Sequence, residues 1–220
     1  MVNLAVDTEH PVIIPCGANK LEGILHVPKD AHGIVLFAHG SGSSRFSIRN
    51  QFVARSLNAV KLATLLFDLL TPEEEKEDVQ TLQYRFDLDF LTSRLITATD
   101  WMVEQPIAHG LPIGYFGAST GGGAALMAAA EKPNIVKAVV SRGGRPDLAW
   151  NALQQVKAPT LLIVGGNDTS VIEMNERVLP QLQTIKRLEI IPGASHLFEE
   201  PGTLQEVAQL AQGWFSEYLI

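Results

Sequence analysis

Among the 220 residues, those whose types and spacing could do chemistry centre on Ser119, set in "GASTG" with Gly117 two places before it and Gly121 two places after. A strand-like run, "PIGYFG", enters this joint and a helix-like run, "GGGAALMAAA", leaves it. Glycine-rich joints of this kind also cradle phosphates, but neither phosphate pattern fits. A phosphate loop needs lysine directly after its second glycine, and here Gly122 is followed by Gly123. The dinucleotide pattern fails because Ser119 stands two places after Gly117, and Leu126 stands three places after Gly123. What fits is G-x-S-x-G, a turn so tight that the serine takes a strained backbone and its neighbours two places away lack side chains. Such a serine is a candidate nucleophile. A small-residue turn that only lets a helix pack close to a sheet would look the same, so the rest of the chain has to decide.

The elements that must position Ser119 are legible in the hydrophobic pattern. "PVIIPC" and "LEGILHV" flank Gly17-Ala18-Asn19 and predict a β-hairpin. The runs "GIVLFAHG", "KLATLLFDLL", "PIGYFG", "VKAVVSRGG", "PTLLIVGG" and "RLEIIPGA" are nearly continuous in apolar residues, as strands covered on both faces require. Helical segments are expected over 48–60, over 86–105 with Leu88, Leu91, Leu95, Thr99 and Met102 in one stripe, near 171–179, and over 203–218. "TPEEEKED" reads as a turn or solvated surface loop. Strands alternating with helices predict a mostly parallel sheet with helices on both faces, in one domain over residues 1–220. No long insertion suggests a lid domain.

Composition narrows the function classes. A net charge of −7 argues against a nucleic-acid partner, and no apolar run reaches the length of a membrane span. The start, "MVNLAVDTEHPV", has acids where a secretion signal has basic residues, so a cytoplasmic protein is expected. A single cysteine, Cys16, excludes internal disulfides and cysteine-based metal sites, and no metal or cofactor is expected. Cys16 reads as a small buried hydrophobe in the hairpin. Oligomeric state is not legible.

In open α/β sheets ligands bind beyond the carboxyl ends of the strands. The residues falling there are His39-Gly40-Ser41-Gly42 after "GIVLFA", Ser119 after "PIGYFG", Asn167-Asp168 after "PTLLIVGG", and Ser195-His196 after "RLEIIPGA". A serine, an acid and a histidine thus follow different strands, which is what acyl transfer needs. The hydroxyl attacks only if a base removes its proton, histidine has the right pKa, and a carboxylate on its other nitrogen fixes the tautomer. The developing oxyanion needs preorganised donors, for which the backbone N–H groups of Thr120 and Ser41 are the candidates.

The elbow "GASTGG", the loop "HGSG" and the segments "GGND" and "SHLF" resemble the α/β-hydrolase superfamily, and within it the compact, lidless dienelactone-hydrolase-like group. The resemblance covers nearly the whole chain. It implies a mixed sheet of about eight strands, Ser119 as nucleophile, Asp168 as acid, His196 as base, and Ser41 with Thr120 as oxyanion donors. Dienelactone hydrolases carry cysteine at the elbow where this chain has Ser119, so lactone specificity is not carried over.

Rival residues exist for each role. His10, His26, His32 and His109 read as surface residues near termini or turns, and His39 as a structural histidine bonded to backbone in its turn. Asp147 is the rival acid, after "VKAVVSRGG", and Asp68 reads as a loop-orienting residue. Arg45, Arg49, Arg142 and Arg145 follow strand ends at the site. Either they bind a carboxylate or phosphate of the substrate, or they pair with the acidic stretch 73–78. The expected function is a serine hydrolase acting on a small carboxylic ester, thioester or lactone through an acyl-enzyme. The alternatives are acyl transfer by the same residues and a binding module that has lost turnover.

Overall fold

A computed structural model describes residues 6–219. Residues 1–5, part of the stretch read above for a secretion signal, lie outside the described ones. β1 (Glu9–Cys16) and β2 (Asn19–His26) form the expected hairpin, with Gly17 at φ +60 opening its two-residue loop. A positive φ is what such a loop demands, and glycine supplies it without strain. Six more strands follow: β3 (Gly33–Ala38), β4 (Leu62–Phe67), β5 (Ile113–Ala118), β6 (Val136–Arg142), β7 (Thr160–Gly165) and β8 (Lys186–Ile191). Together they make one sheet in the order β1-β2-β4-β3-β5-β6-β7-β8. β2 runs antiparallel to β1 and β4, and every pairing from β4 to β8 is parallel.

The helices are α1 (Ile48–Ala59), α2 (Pro72–Thr81), α3 (Leu88–Val103), α4 (Thr120–Glu131), α5 (Thr169–Val178) and α6 (Thr203–Tyr218). β3, β4, β5 and β7 are buried along their whole length, which is why they read as unbroken apolar runs. Alternation along β5 sends Tyr115 into the core shared with α3 and α4, and Phe116 into the core shared with α1 and α6. Phe116 there meets Phe37, ring centroids 5.0 Å apart. Each large apolar side chain buried this way contributes about 1.5–3 kcal/mol. The α3 stripe is as expected, with Leu91, Leu95, Thr99 and Met102 buried and Thr99 hydrogen-bonded to Tyr115 at 2.6 Å.

Two segments differ from the sequence reading. The acidic stretch expected as a loop is α2. Thr71 and Glu74 form a reciprocal capping box, Pro72 opens the first turn, and Glu73, Glu74 and Glu75 face the positive end of the helix. The crossover from β6 to β7, to which no element was assigned, holds a 3₁₀ run, Pro146–Gln155. No described helix is long and apolar enough to cross a membrane.

Candidate active site

Ser119 occupies the single residue between β5 and α4, at φ 52 and ψ −121. A left-handed backbone at a non-glycine residue costs roughly 1–3 kcal/mol and persists only where its surroundings enforce it. Here they do. Ser119 N–H donates to Arg142 O at 3.2 Å, and Ser119 O accepts from Gly122 N–H at 2.9 Å and Arg145 N–H at 3.0 Å. A Cβ on Gly117 would fall 2.4 Å from Gly121 O, and one on Gly121 would fall 2.2 Å from Ala38 O. Both glycines of the pattern are therefore set by close backbone approach.

His196 and Asp168 meet although 28 residues separate them: His196 Nδ1 lies 2.5 Å from Asp168 Oδ2. Asp168 is the N-cap residue of α5, but its side chain makes no cap hydrogen bond and turns to the imidazole instead. The two loops that carry the pair are tied together. Asn167 N–H donates to Ala194 O at 2.9 Å, Gly166 N–H to Ile191 O at 2.8 Å, and Asn167 Nδ2 to Gly193 O at 2.8 Å. With Asp168 accepting from Nδ1–H, the basic nitrogen of the ring is Nε2. The side chain of Asp168 is 12% exposed and that of His196 39%, so the carboxylate is shielded while the imidazole reaches solvent. No hydrogen bond joins Ser119 Oγ to His196 among the described residues.

Ser41 and Thr120 lie side by side, their hydroxyls 3.1 Å apart, and Ser41 Oγ also donates to Arg85 O at 3.2 Å. Neither Ser41 N–H nor Thr120 N–H takes part in a hydrogen bond among the described residues. Thr120 is the first residue of α4, so its N–H has no partner within the helix and stands at the helix's positive end. His39 holds this loop: Nδ1–H donates to Gly40 O at 2.9 Å and Nε2 accepts from Leu69 N–H at 3.0 Å. Burial lowers its pKa against the opposing pull of Gly40 O, Asp68 and Glu75, so the ring stays neutral. Both ring nitrogens are engaged, which removes His39 as a base. His32 and His109 are exposed, and His10 and His26 lie in the N-terminal hairpin.

The rival acid is engaged elsewhere. Asp147 takes both hydrogen bonds of a bidentate pair with Arg145, each 2.8 Å, and that pairing lowers its pKa. Arg45 pairs with Asp68 and Glu22, and its N–H donates to Asp68 Oδ1 at 2.6 Å. Asp68 thus holds the loop after β3. Arg49 makes one long contact with Glu199, 3.4 Å. None of the four arginines singled out in the sequence pairs with the acidic helix; Arg94 takes Glu74 and Arg85 takes Asp78, each at 2.5 Å. Arg142 has no carboxylate at all among the described residues, and burial, then the charge of Arg49, pushes its guanidinium down to about 10. Cys16 accepts from Arg94 Nη1 at 2.9 Å rather than sitting among apolar groups alone. Among the described residues no group of three or more His, Cys, Asp or Glu could hold a metal ion.

One contributor escaped the sequence reading. Gly143, at φ +52 directly after β6, lies against His196, where an added Cβ would meet the ring's Cε1 and Nδ1 at 3.4 Å. The "RGG" that ends the strand run was the only available signal.

A parallel sheet with one antiparallel strand near its edge, a nucleophile-type elbow after the central strand, and no inserted lid define an α/β hydrolase. The chain belongs to the dienelactone hydrolase family, whose model matches residues 21–216. It is similar to the crystal structure of dienelactone hydrolase from Anabaena variabilis ATCC 29413, with 63% identity and a TM-score of 0.95 over 97% of this chain and 99% of that one. A Xanthomonas campestris α/β serine hydrolase without a lid shares the fold at 20% identity, with a TM-score of 0.78 over 99% of this chain and 98% of that one. Two Mycobacterium tuberculosis proteins, from strains CDC 1551 / Oshkosh and H37Rv, carry the name "Putative phosphoribosyl transferase" and are 54% identical over 96% of this chain. The chain spans 47% of their length.

Proposed function

We propose that this chain is a serine hydrolase that cleaves a small carboxylic ester, thioester or lactone through an acyl-enzyme, and that it works in the cytoplasm. The observation that carries the reading is the 2.5 Å contact of His196 Nδ1 with Asp168 Oδ2, on the same sheet edge as the positive-φ Ser119. Ser119 Oγ attacks the carbonyl carbon while His196 Nε2 takes its proton. Asp168 keeps the other ring proton on Nδ1 and stabilises the imidazolium. The carbonyl oxygen, now negative, is received by the N–H groups of Ser41 and Thr120. Collapse breaks the bond to the leaving oxygen or sulfur, which takes the proton from His196. Water then repeats the sequence on the acyl-enzyme and frees the acid and Ser119.

The transferase name belongs to chains about twice as long, and the arrangement of Ser119, His196 and Asp168 does not call for phosphoribosyl transfer. The test is turnover of p-nitrophenyl esters of varied chain length. Ser119→Ala and His196→Ala should each lose roughly 10⁴-fold in kcat with the fold intact, because nucleophile and base act as a unit. Turnover near the wild-type rate in either variant would contradict the assignment.

A further inference from the structure

Of the four arginines near the site, Arg45 and Arg145 hold close carboxylates, Arg49 reaches Glu199 only at 3.4 Å, and Arg142 has no carboxylate among the described residues. Arg142 is 6% exposed, and its Nε and Nη1 are buried without a hydrogen-bond partner. Arg49 Nε is likewise buried and unpartnered. A buried cation with unsatisfied donors is unfavourable in a folded chain unless something pairs with it. The two side chains converge on one segment, Arg142 lying 5.7 Å from the ring of Phe198 and Arg49 Nη1 reaching Oε1 of the next residue, Glu199, at 3.4 Å, and the charge of Arg49 helps to lower the Arg142 pKa. Two like charges brought to one segment with free N–H groups suit an oxyanion, and a guanidinium fork matches phosphate or carboxylate oxygens best.

The place of this pair in the fold relates it to the chemistry. Arg142 ends β6, where it is in register with Ala118, the residue before Ser119, and its carbonyl holds Ser119 N–H. Its guanidinium lies 5.7 Å from the ring of Phe198, two residues after His196. Arg49 is the second residue of α1, so the positive end of that helix adds to the same field. Asn50, next to Arg49, is buried with Oδ1 unpartnered. Buried polar atoms without partners thus occur both at the start of α1 and at the end of β6.

We propose that Arg142 and Arg49 form an anion subsite beside Ser119 that holds an acidic oxyanion of the substrate, a phosphate group in the first place, while the triad acts on the ester. The proposal rests on the hydrolase reading for its purpose but not for its test. The weak contact of Arg49 with Glu199 is the one the anion displaces.

The experiment titrates inorganic phosphate into the full chain at constant ionic strength, by calorimetry and by melting temperature, with chloride as control. Wild type and Ser119→Ala should both bind phosphate saturably. Arg142→Met and Arg49→Met should each weaken it by roughly tenfold or more, and Arg142→Lys, which keeps charge but loses the fork, should fall between. In the absence of phosphate, Arg142→Met should not melt below wild type, since it removes an unpaired buried charge; a merely structural arginine would show the opposite. In kinetics, Arg142→Met should lower kcat/KM for a phosphate-bearing ester by roughly tenfold more than for its neutral counterpart. If Arg142→Met does not fold, Arg49→Met and Arg142→Lys decide. No saturable phosphate binding, or binding unchanged in these variants, overturns the subsite. Loss of ester hydrolysis in Ser119→Ala with phosphate binding retained would leave both readings standing, and phosphate binding without any esterase activity would sink only the hydrolase.

Discussion

Asp168 stands at the N-cap of α5, where an aspartate ordinarily accepts from the helix, yet its carboxylate lies 2.5 Å from His196 Nδ1 and makes no cap hydrogen bond. An N-cap aspartate that caps nothing gives up about 1 kcal/mol of helix stability. The orientation of the imidazole is what that carboxylate supports instead.

This relationship sets a ranking between two acids. Asp168→Asn should leave the fold intact and lower kcat by roughly 10³–10⁴-fold, because an amide can favour the wrong imidazole tautomer. Asp147→Asn should change kcat little, since Asp147 bonds Arg145 and not the histidine. Steady-state kinetics on one activated ester checks both, and the reverse ranking would move the acid to the loop after β6.

His39 predicts a pH dependence of stability. Burial lowers its pKa in the folded state, so below the ordinary histidine value of about 6.5 the unfolded chain binds a proton that the folded chain resists. Stability from this group is fully present above about pH 6.5 and is lost as pH falls from there toward the lowered folded value, at no more than about 1.4 kcal/mol per pH unit. Urea denaturation at pH 7.5 and 5.5 should show wild type losing stability on acidification. His39→Gln, less stable at pH 7.5 through loss of the Gly40 and Leu69 bonds, should have a shallower slope between the two. Equal slopes would mean that His39 is not the buried neutral group the loop requires.

How much of this was legible beforehand varied with the range of the interaction. The elbow, Asp168 and His196 could be placed because chain order along a parallel sheet dictates which loops meet at its carboxyl edge. Even so, the Asp168–His196 contact itself depends on hydrogen bonds between the 166–168 and 191–194 loops that no local pattern announces. The acidic stretch looked like a loop because it lacks an apolar stripe, Asp78 being its only buried residue, although Thr71 and Glu74 spelled a capping box. The arginines show the limit most clearly. Arg145 pairs with a carboxylate two residues away and was readable in principle. Arg142 lies three residues earlier, but it sits on the strand, and its side chain goes to Phe198, 56 residues distant in the chain. The partners of Arg45, Glu22 and Asp68, come from β2 and from the end of β4, and only the sheet order brings those strands together.

The central claim, that Ser119 is a nucleophile activated by His196 and Asp168, is tested most directly by covalent capture. Incubation with a fluorophosphonate, followed by intact mass and peptide mapping, should show one adduct per chain located on Ser119. His196→Ala should label far more slowly and Ser119→Ala not at all. A chain that takes no adduct while correctly folded, or one labelled equally well after Ser119→Ala, would contradict the account.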